Sequence, residues 1–122
     1  MNQLSDAFKA HIVQLILMGK ADEALEELSE RLGVVKPKLK VGRVKGKGKA
    51  LGVYVSAKET IYVSEGRLLR EPFVILHEFY HHLRMFHGKH RGTEKHANKF
   101  ALDFIRAYLS YLDSNRVNNT LD

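Results

Sequence analysis

The stretch from Pro72 to Gly88 reads PFVILHEFYHHLRMFHG, and it determines the fold of this chain of 122 residues. A proline fits the first turn of a helix, and no helix-breaking residue follows it before Gly88. Apolar residues occupy almost every side of this predicted helix, which is typical of a helix buried at the centre of a small protein. We therefore predict a central helix here, with the other elements packed around it.

The pattern H-E-x-x-H lies inside this helix, at His77, Glu78 and His81. Because residues four apart return to within about 40° of each other on a helix, both imidazoles can reach one ion. Glu78 projects between them toward a water molecule on that ion, which is the arrangement that zinc hydrolysis requires. Two histidines and a glutamate in an apolar helix are costly without partners, and a divalent cation supplies one. The stretch therefore predicts a catalytic site with Zn²⁺ as its cofactor.

A catalytic zinc requires a third protein ligand, and we favour Glu94 for that role. Glu94 opens the next predicted helix on the same side as its apolar stripe, so it should face the core and the H-E-x-x-H helix. Asn98 lies one turn further along this side, where it can fix the tautomer of a ligand histidine.

Two other histidines compete with Glu94 as the third ligand. His87 lies six residues after His81, the spacing of metzincins, although the glycine that they need midway is Arg84 here. His90 would be the ligand in the manner of SprT-like proteases. His82 points about 100° away from His81, so we expect it at the surface or in support of a ligand.

Helical patterns also occupy both ends of the chain. The first third predicts two helices, one capped by Ser5 or Asp6 and one that stops at Gly33. The last helix should end near Tyr111 or Asp113 and be followed by a flexible polar tail. The ranges are 1–33 for the N-terminal helices, 70–113 for the active-site and glutamate helices, and 114–122 for the tail.

The middle of the chain, residues 34–64, alternates with a period of two, which is typical of β-strands. The lysines lie at even positions before Gly42 and at odd positions after it, which suggests a bulge or bend of the strand at this glycine. The segment Lys45–Lys49 contains two glycines, which is typical of a hairpin turn. We therefore predict a three-stranded antiparallel sheet. The whole chain, residues 1–122, then forms a single α+β domain.

The composition excludes several classes of protein. The chain has 20 basic and 14 acidic residues and no cysteine, which excludes disulfide scaffolds, thiolate zinc sites and cysteine catalysis. No apolar run approaches the roughly 20 residues that cross a bilayer, and no leader pattern opens the sequence. We therefore expect a cytoplasmic protein with no membrane contact.

The positive charge is concentrated in residues 34–58, which carry eight basic residues and no acidic one. Such a segment could contact nucleic-acid phosphates, with Tyr54 as the one aromatic platform it offers. The alternative is that lysines on an edge strand prevent sheet-to-sheet aggregation, which we favour. Nucleic-acid binding and a catalytically silent zinc site are therefore the alternatives to an enzyme.

Residues 94–101 read EKHANKFA and resemble the E-x-x-A-N-x-F-A signature that follows H-E-x-x-H in ImmA/IrrE-type metallopeptidases. The small size resembles the minigluzincins, which are reduced zinc peptidases of the gluzincin type. The likeness covers roughly residues 36–108 and implies a small single-domain zincin. It implies the zinc ligands His77, His81 and Glu94, and it places Asn98 where gluzincins often have an aspartate that supports a ligand histidine.

The resemblance also implies an activity, that of a zinc metalloendopeptidase. Glu78 would be general base and acid in the attack of zinc-bound water on a peptide bond. An extended peptide or protein substrate would pair with an edge strand, either Thr60–Ser64 or the strand before it. Larger gluzincins have a second lobe below the cleft, and this chain is too short for one, so the activity should be weak, selective or latent. The C-terminal tail could then cover the site. The candidates for stabilising the oxyanion are His90, His96 and Tyr80.

Overall fold

Four α-helices and one three-stranded sheet make up the structure, a computed structural model that describes residues 4–86 and 94–120, with side chains up to residue 114. The α+β class is confirmed. Among the described residues, no helix has the length and apolarity that crossing a membrane requires. The elements in chain order are α1 (Asp6–Leu17), α2 (Ala21–Leu32), β1 (Lys38–Val41), β2 (Gly52–Val55), β3 (Thr60–Val63), α3 (Pro72–Phe86) and α4 (Glu94–Thr120).

The two N-terminal helices begin and end at the residues that local chemistry favours. The Ser5 hydroxyl accepts a hydrogen bond from the Phe8 N–H at 3.1 Å, which satisfies one of the unpaired donors at the start of α1. The chain leaves α2 at Gly33, whose φ of 70° is readily adopted by glycine. Both helices were predicted from the sequence.

The sheet differs from the predicted meander, because its strand order is β1-β3-β2 and one of its two pairings is parallel. β2 is antiparallel to β3, as expected, but β1 runs parallel to β3, with Lys38 opposite Thr60. The segment 42–51, predicted to contain a hairpin turn, instead crosses the end of β3. It is held there by hydrogen bonds from Gly42 to Val63 at 2.8 Å and from Ser64 to Leu51 at 2.9 Å.

The physical reason for this order lies in the burial of the strands. Ile61 and Val63 of β3 are completely buried, so β3 takes the central position. The lysines of β1 alternate toward solvent, which suits an edge. A period of two assigns side chains to faces but does not say which strands are neighbours. The predicted antiparallel pairing of the first strand was therefore wrong.

The helix α3 lies at the centre of the molecule, between the sheet and α4, as the sequence predicted. Its side chains Ile75, Leu76 and Phe79 are completely buried. The helix α4 packs against both α3 and α1, and its Phe104 joins the same core.

The helix α4 continues well past its predicted end at Tyr111 or Asp113. Residues 114–120 are helical, where we expected a flexible tail. A run of 27 residues without glycine or proline extends a helix by about 40 Å from its first residue. Because Glu94 begins this helix, its C-terminal residues lie far from Glu94, and the structure gives no support to a tail that covers the site.

Candidate metal centre

Two histidines of α3 and one glutamate of α4 converge on the same point. His77 and His81 are one turn apart and face α4, where Glu94 occupies the first position of the helix. The Nε2 atom of His77 lies 2.7 Å from Glu94 Oε2, and the Nε2 atom of His81 lies 3.1 Å from Glu94 Oε1. These three predicted ligands therefore present one nitrogen or oxygen each to a common volume, with the atoms within 4.8 Å of one another.

Asn98 fixes the tautomer of His77, in the place that the sequence suggested for it. Its Oδ1 atom lies 2.9 Å from His77 Nδ1. An amide oxygen can only accept, so this hydrogen bond places a proton on Nδ1 and leaves Nε2 as the ring nitrogen that faces Glu94. Ligand histidines in metal sites are held in the same way by a hydrogen bond to the other ring nitrogen.

The donor set fits a divalent metal ion. Burial is the main cause that lowers the pKa of His81 below 6.5, so its imidazole is neutral at pH 7 and able to donate a lone pair. The side chain of Glu94 is 75% exposed, rather than facing the core as we expected, so it approaches the histidines from the solvent side. Two imidazoles and one carboxylate, open to solvent on one side, form a group that could hold a metal ion.

Glu78 lies beside this group and faces the sheet. Burial raises the pKa of Glu78 to about 7, and the negative charge of Glu94 adds to this effect. The positive potential of His77 and a hydrogen bond from the Tyr54 backbone N–H act in the opposite direction. One carboxylate oxygen of Glu78 is 3.9 Å from His77 Nε2. A carboxyl group with a pKa near 7 can accept and release a proton at neutral pH.

Gly52 provides the space that Glu78 occupies, a role that was not predicted from the sequence. A β-carbon at position 52 would lie 2.8 Å from Val74 Cγ1 and 3.0 Å from Glu78 Cγ, closer than side chains tolerate. The strand β2 can therefore approach α3 this closely only with glycine at that position. A glycine inside a predicted strand was the available signal for a close backbone approach.

A groove of about 550 Å³ runs between α3, β2 and the segment before β2. The strand β2 pairs with β3 on one side, and its other side faces this groove. Glu78, His81 and Glu94 line the groove together with two cations, Lys47 and Arg84. The candidate metal group and Glu78 thus share an open surface that an extended chain could occupy.

His82 is completely buried, not at the surface as the sequence allowed. Its Nδ1 accepts a hydrogen bond from the Tyr54 hydroxyl at 2.6 Å, and its Nε2–H donates to the Val35 carbonyl at 2.6 Å. Burial is also the main cause that raises the pKa of Tyr54 to about 12. His82 therefore cross-links α3 to β2 and to the segment before β1, and Tyr54 is not the outward-facing aromatic platform that we expected.

Two of the remaining predicted residues, Tyr80 and His96, are described by the structure and can be compared with the lining of the groove. Tyr80 packs against Phe100 with ring centroids 5.5 Å apart, and neither Tyr80 nor His96 is among the described residues that line the groove. His87 and His90 lie outside the described residues.

Comparisons of the chain with models of protein families, with curated proteins and with solved structures find no match.

Proposed function

We propose that this protein is a zinc-dependent metalloendopeptidase with weak or narrowly selective activity. The observation that carries the proposal is the convergence of His77, His81 and Glu94 next to Glu78 on one open groove. A metal-binding group alone would fit a structural site equally well. A buried carboxyl group with a pKa of about 7 beside the open position favours a hydrolytic role.

His77, His81 and Glu94 would hold the ion, and Asn98 would keep His77 in the tautomer that binds it. Zn²⁺ is the ion that this donor set suits best, since imidazole nitrogens and one carboxylate oxygen are common ligands of catalytic zinc. When bound, it would supply Lewis-acid chemistry, which polarises a carbonyl oxygen and makes water more acidic.

Glu78 would carry the proton through the reaction. Its carboxylate accepts a proton from the attacking water as the new carbon–oxygen bond forms. It then donates that proton to the amine as the carbon–nitrogen bond of the peptide breaks, so Glu78 returns to its starting state. Burial against β2 raises the pKa of this carboxyl group, which makes it a better proton acceptor than an exposed glutamate.

The free edge of β2 is the best place for an extended peptide substrate. Thr60–Ser64, the other strand that we considered, contains the central strand β3, which has a neighbour on each side and no free edge. The strand β2 faces the groove with one edge. The Tyr54 N–H on this edge donates to Glu78, and the other backbone groups of the edge can pair with a peptide. The resemblance of the two helices to gluzincin motifs also supports a peptide as substrate.

The test combines zinc content with peptide cleavage. We expect the wild-type chain to bind one Zn²⁺ and to cleave members of a peptide library detected by mass spectrometry. Glu78→Gln should retain zinc and lose at least about 100-fold in cleavage rate, because the proton carrier is removed. Glu94→Ala should lower the affinity for zinc. Glu30→Gln, at an exposed position of α2, is the matched control and should change neither quantity.

Two results would contradict the proposal. A zinc-loaded wild type that cleaves no peptide in a broad library would leave only a catalytically silent metal site. Equal cleavage by wild type and Glu78→Gln would show that Glu78 does not carry the proton.

A further inference from the structure

The face of the sheet that points away from α3 has a composition unlike the rest of the molecule. The missing side chain of Gly52 and the hydroxyl of Tyr54 are both directed at α3, so the alternate residues of β2 point the other way. The register then defines two rows across this outer face. They are Lys40–Tyr62–Val53 and Lys38–Thr60–Val55.

A concavity of about 480 Å³ lies on this outer face. Three lysines line it, Lys38, Lys40 and Lys58, and Tyr62 lies on the central strand next to Lys40. Glu59 is the one carboxylate among the residues that line it. The surface therefore combines an excess of positive charge with a partly exposed aromatic ring.

Lys36 lies just before β1 and is not among the described residues that line this concavity. Lys36 binds Asp22 at 2.7 Å, so its charge is balanced within the chain. Lys38 and Lys40 are two residues apart on one strand, so their side chains leave the same face about 7 Å from each other. That distance is comparable to the separation of neighbouring phosphates in an extended strand.

We propose that this outer face binds single-stranded DNA, with Tyr62 stacking on a base and Lys38, Lys40 and Lys58 contacting phosphates. An aromatic ring among cations suits a polyanion that carries flat bases better than an acidic protein surface. The groove of the metal centre lies on the other side of β2, so this binding is independent of peptide cleavage.

Fluorescence anisotropy of a labelled oligothymidine with the full chain tests the proposal. We expect the logarithm of the affinity to fall with the logarithm of the salt concentration with a slope of about −2, because each phosphate contact on a single strand contributes about 0.7. The double variant Lys38→Gln/Lys40→Gln should reduce the slope by about 1.4. Lys20→Gln/Lys99→Gln removes the same charge from exposed positions elsewhere and should leave the slope unchanged.

Substitutions of Tyr62 test the stacking. Tyr62→Leu should weaken binding about tenfold, whereas Tyr62→Phe, which keeps the ring, should bind like the wild type. Several results would overturn the proposal: no binding by the wild type, equal losses in the two lysine double variants, or equal losses in Tyr62→Leu and Tyr62→Phe. Equal affinity for an oligoglutamate of the same charge would assign the face to acidic proteins, and tighter binding of oligouridine would assign it to RNA.

Discussion

The helix α3 presents two faces, each with a pair of residues four positions apart, and the two faces differ in what they can do. His77 and His81 face α4 and place their Nε2 atoms on a carboxylate that is largely exposed. Glu78 and His82 face β2 and are buried against it. The first pair is open to an exchangeable ligand. In the second pair, hydrogen bonds fix His82 at both ring nitrogens, while Glu78 also reaches the groove.

The contrast is sharpest between the adjacent residues His81 and His82. A rotation of about 100° per residue separates their side chains. His81 has its Nε2 next to a group that a cation could bind, while both ring nitrogens of His82 are already occupied by Tyr54 and Val35. Two adjacent histidines thus differ: His81 belongs to a group that could hold a metal ion, and His82 joins the helix to the sheet.

The largest expected difference between the two faces is in the free energy of unfolding after substitution of His82 or His81. We expect His82→Ala to lower the free energy of unfolding by about 3 kcal/mol, because a buried hydroxyl and a buried carbonyl lose their partners. His81→Ala should cost about 1 kcal/mol or less in metal-free protein, since its one partner is exposed. Urea unfolding in the presence of a chelator, followed by circular dichroism, measures both values. Equal losses in the two variants would remove the distinction between the faces.

A smaller effect is expected from crowding the face that contains Glu78. Gly52→Ala should lower the free energy of unfolding by about 2 kcal/mol, because the new methyl group would overlap Val74 and the Glu78 side chain. Cleavage, where it is measured, should fall with it as Glu78 is displaced. Gly66→Ala is the control, since a β-carbon there meets no neighbour within 4 Å. Thermal unfolding compares the two, and a Gly52→Ala variant as stable as Gly66→Ala would contradict the close approach.

The smallest effect is a pH dependence that belongs to His82. Burial lowers the pKa of His82 below 6.5, so the unfolded chain binds a proton more readily than the folded chain does. The stability that His82 contributes is therefore complete above pH 6.5 and is lost as the pH falls toward the pKa of the folded state.

The comparison of wild type with His82→Gln isolates this dependence, because Glu78 and His81 titrate in both chains. The difference in unfolding free energy should be constant above pH 6.5 and shrink below it by up to about 1.4 kcal/mol per pH unit. Urea unfolding at several pH values in chelator provides the measurement. A difference that stays constant down to pH 5 would mean that His82 accepts a proton without cost.

Features that depend on nearby residues were predictable from the sequence. The periodicity and the stop at Gly33 placed α2, and the spacing of H-E-x-x-H placed His77 and His81 on one side of α3. Glu94 could be chosen because the apolar stripe of α4 fixes which side of that helix faces α3. In each case the geometry of a helix converts spacing into direction.

Features that depend on distant parts of the chain were not predictable. The sequence could not show that β1 would pair with β3, since alternation leaves the neighbour of an edge strand open. It also could not show that the carbonyl of Val35 would meet His82, a contact between residues 47 positions apart. The end of α4 was missed because polar residues after Asp113 were taken for a tail, although none of them interrupts a helix.

The docking of α4 on α1 has a thermodynamic consequence for the metal centre. Lys9 of α1 lies over the ring of Phe104 at 6.0 Å, and Ile12 and Ala101 share one core with it. Glu94 stands at the head of that same helix, so its position depends on the first helix of the chain. The affinity for an ion is then linked to the folding of the whole domain. The N-terminal helices carry no metal ligand, yet their packing energy enters the binding constant.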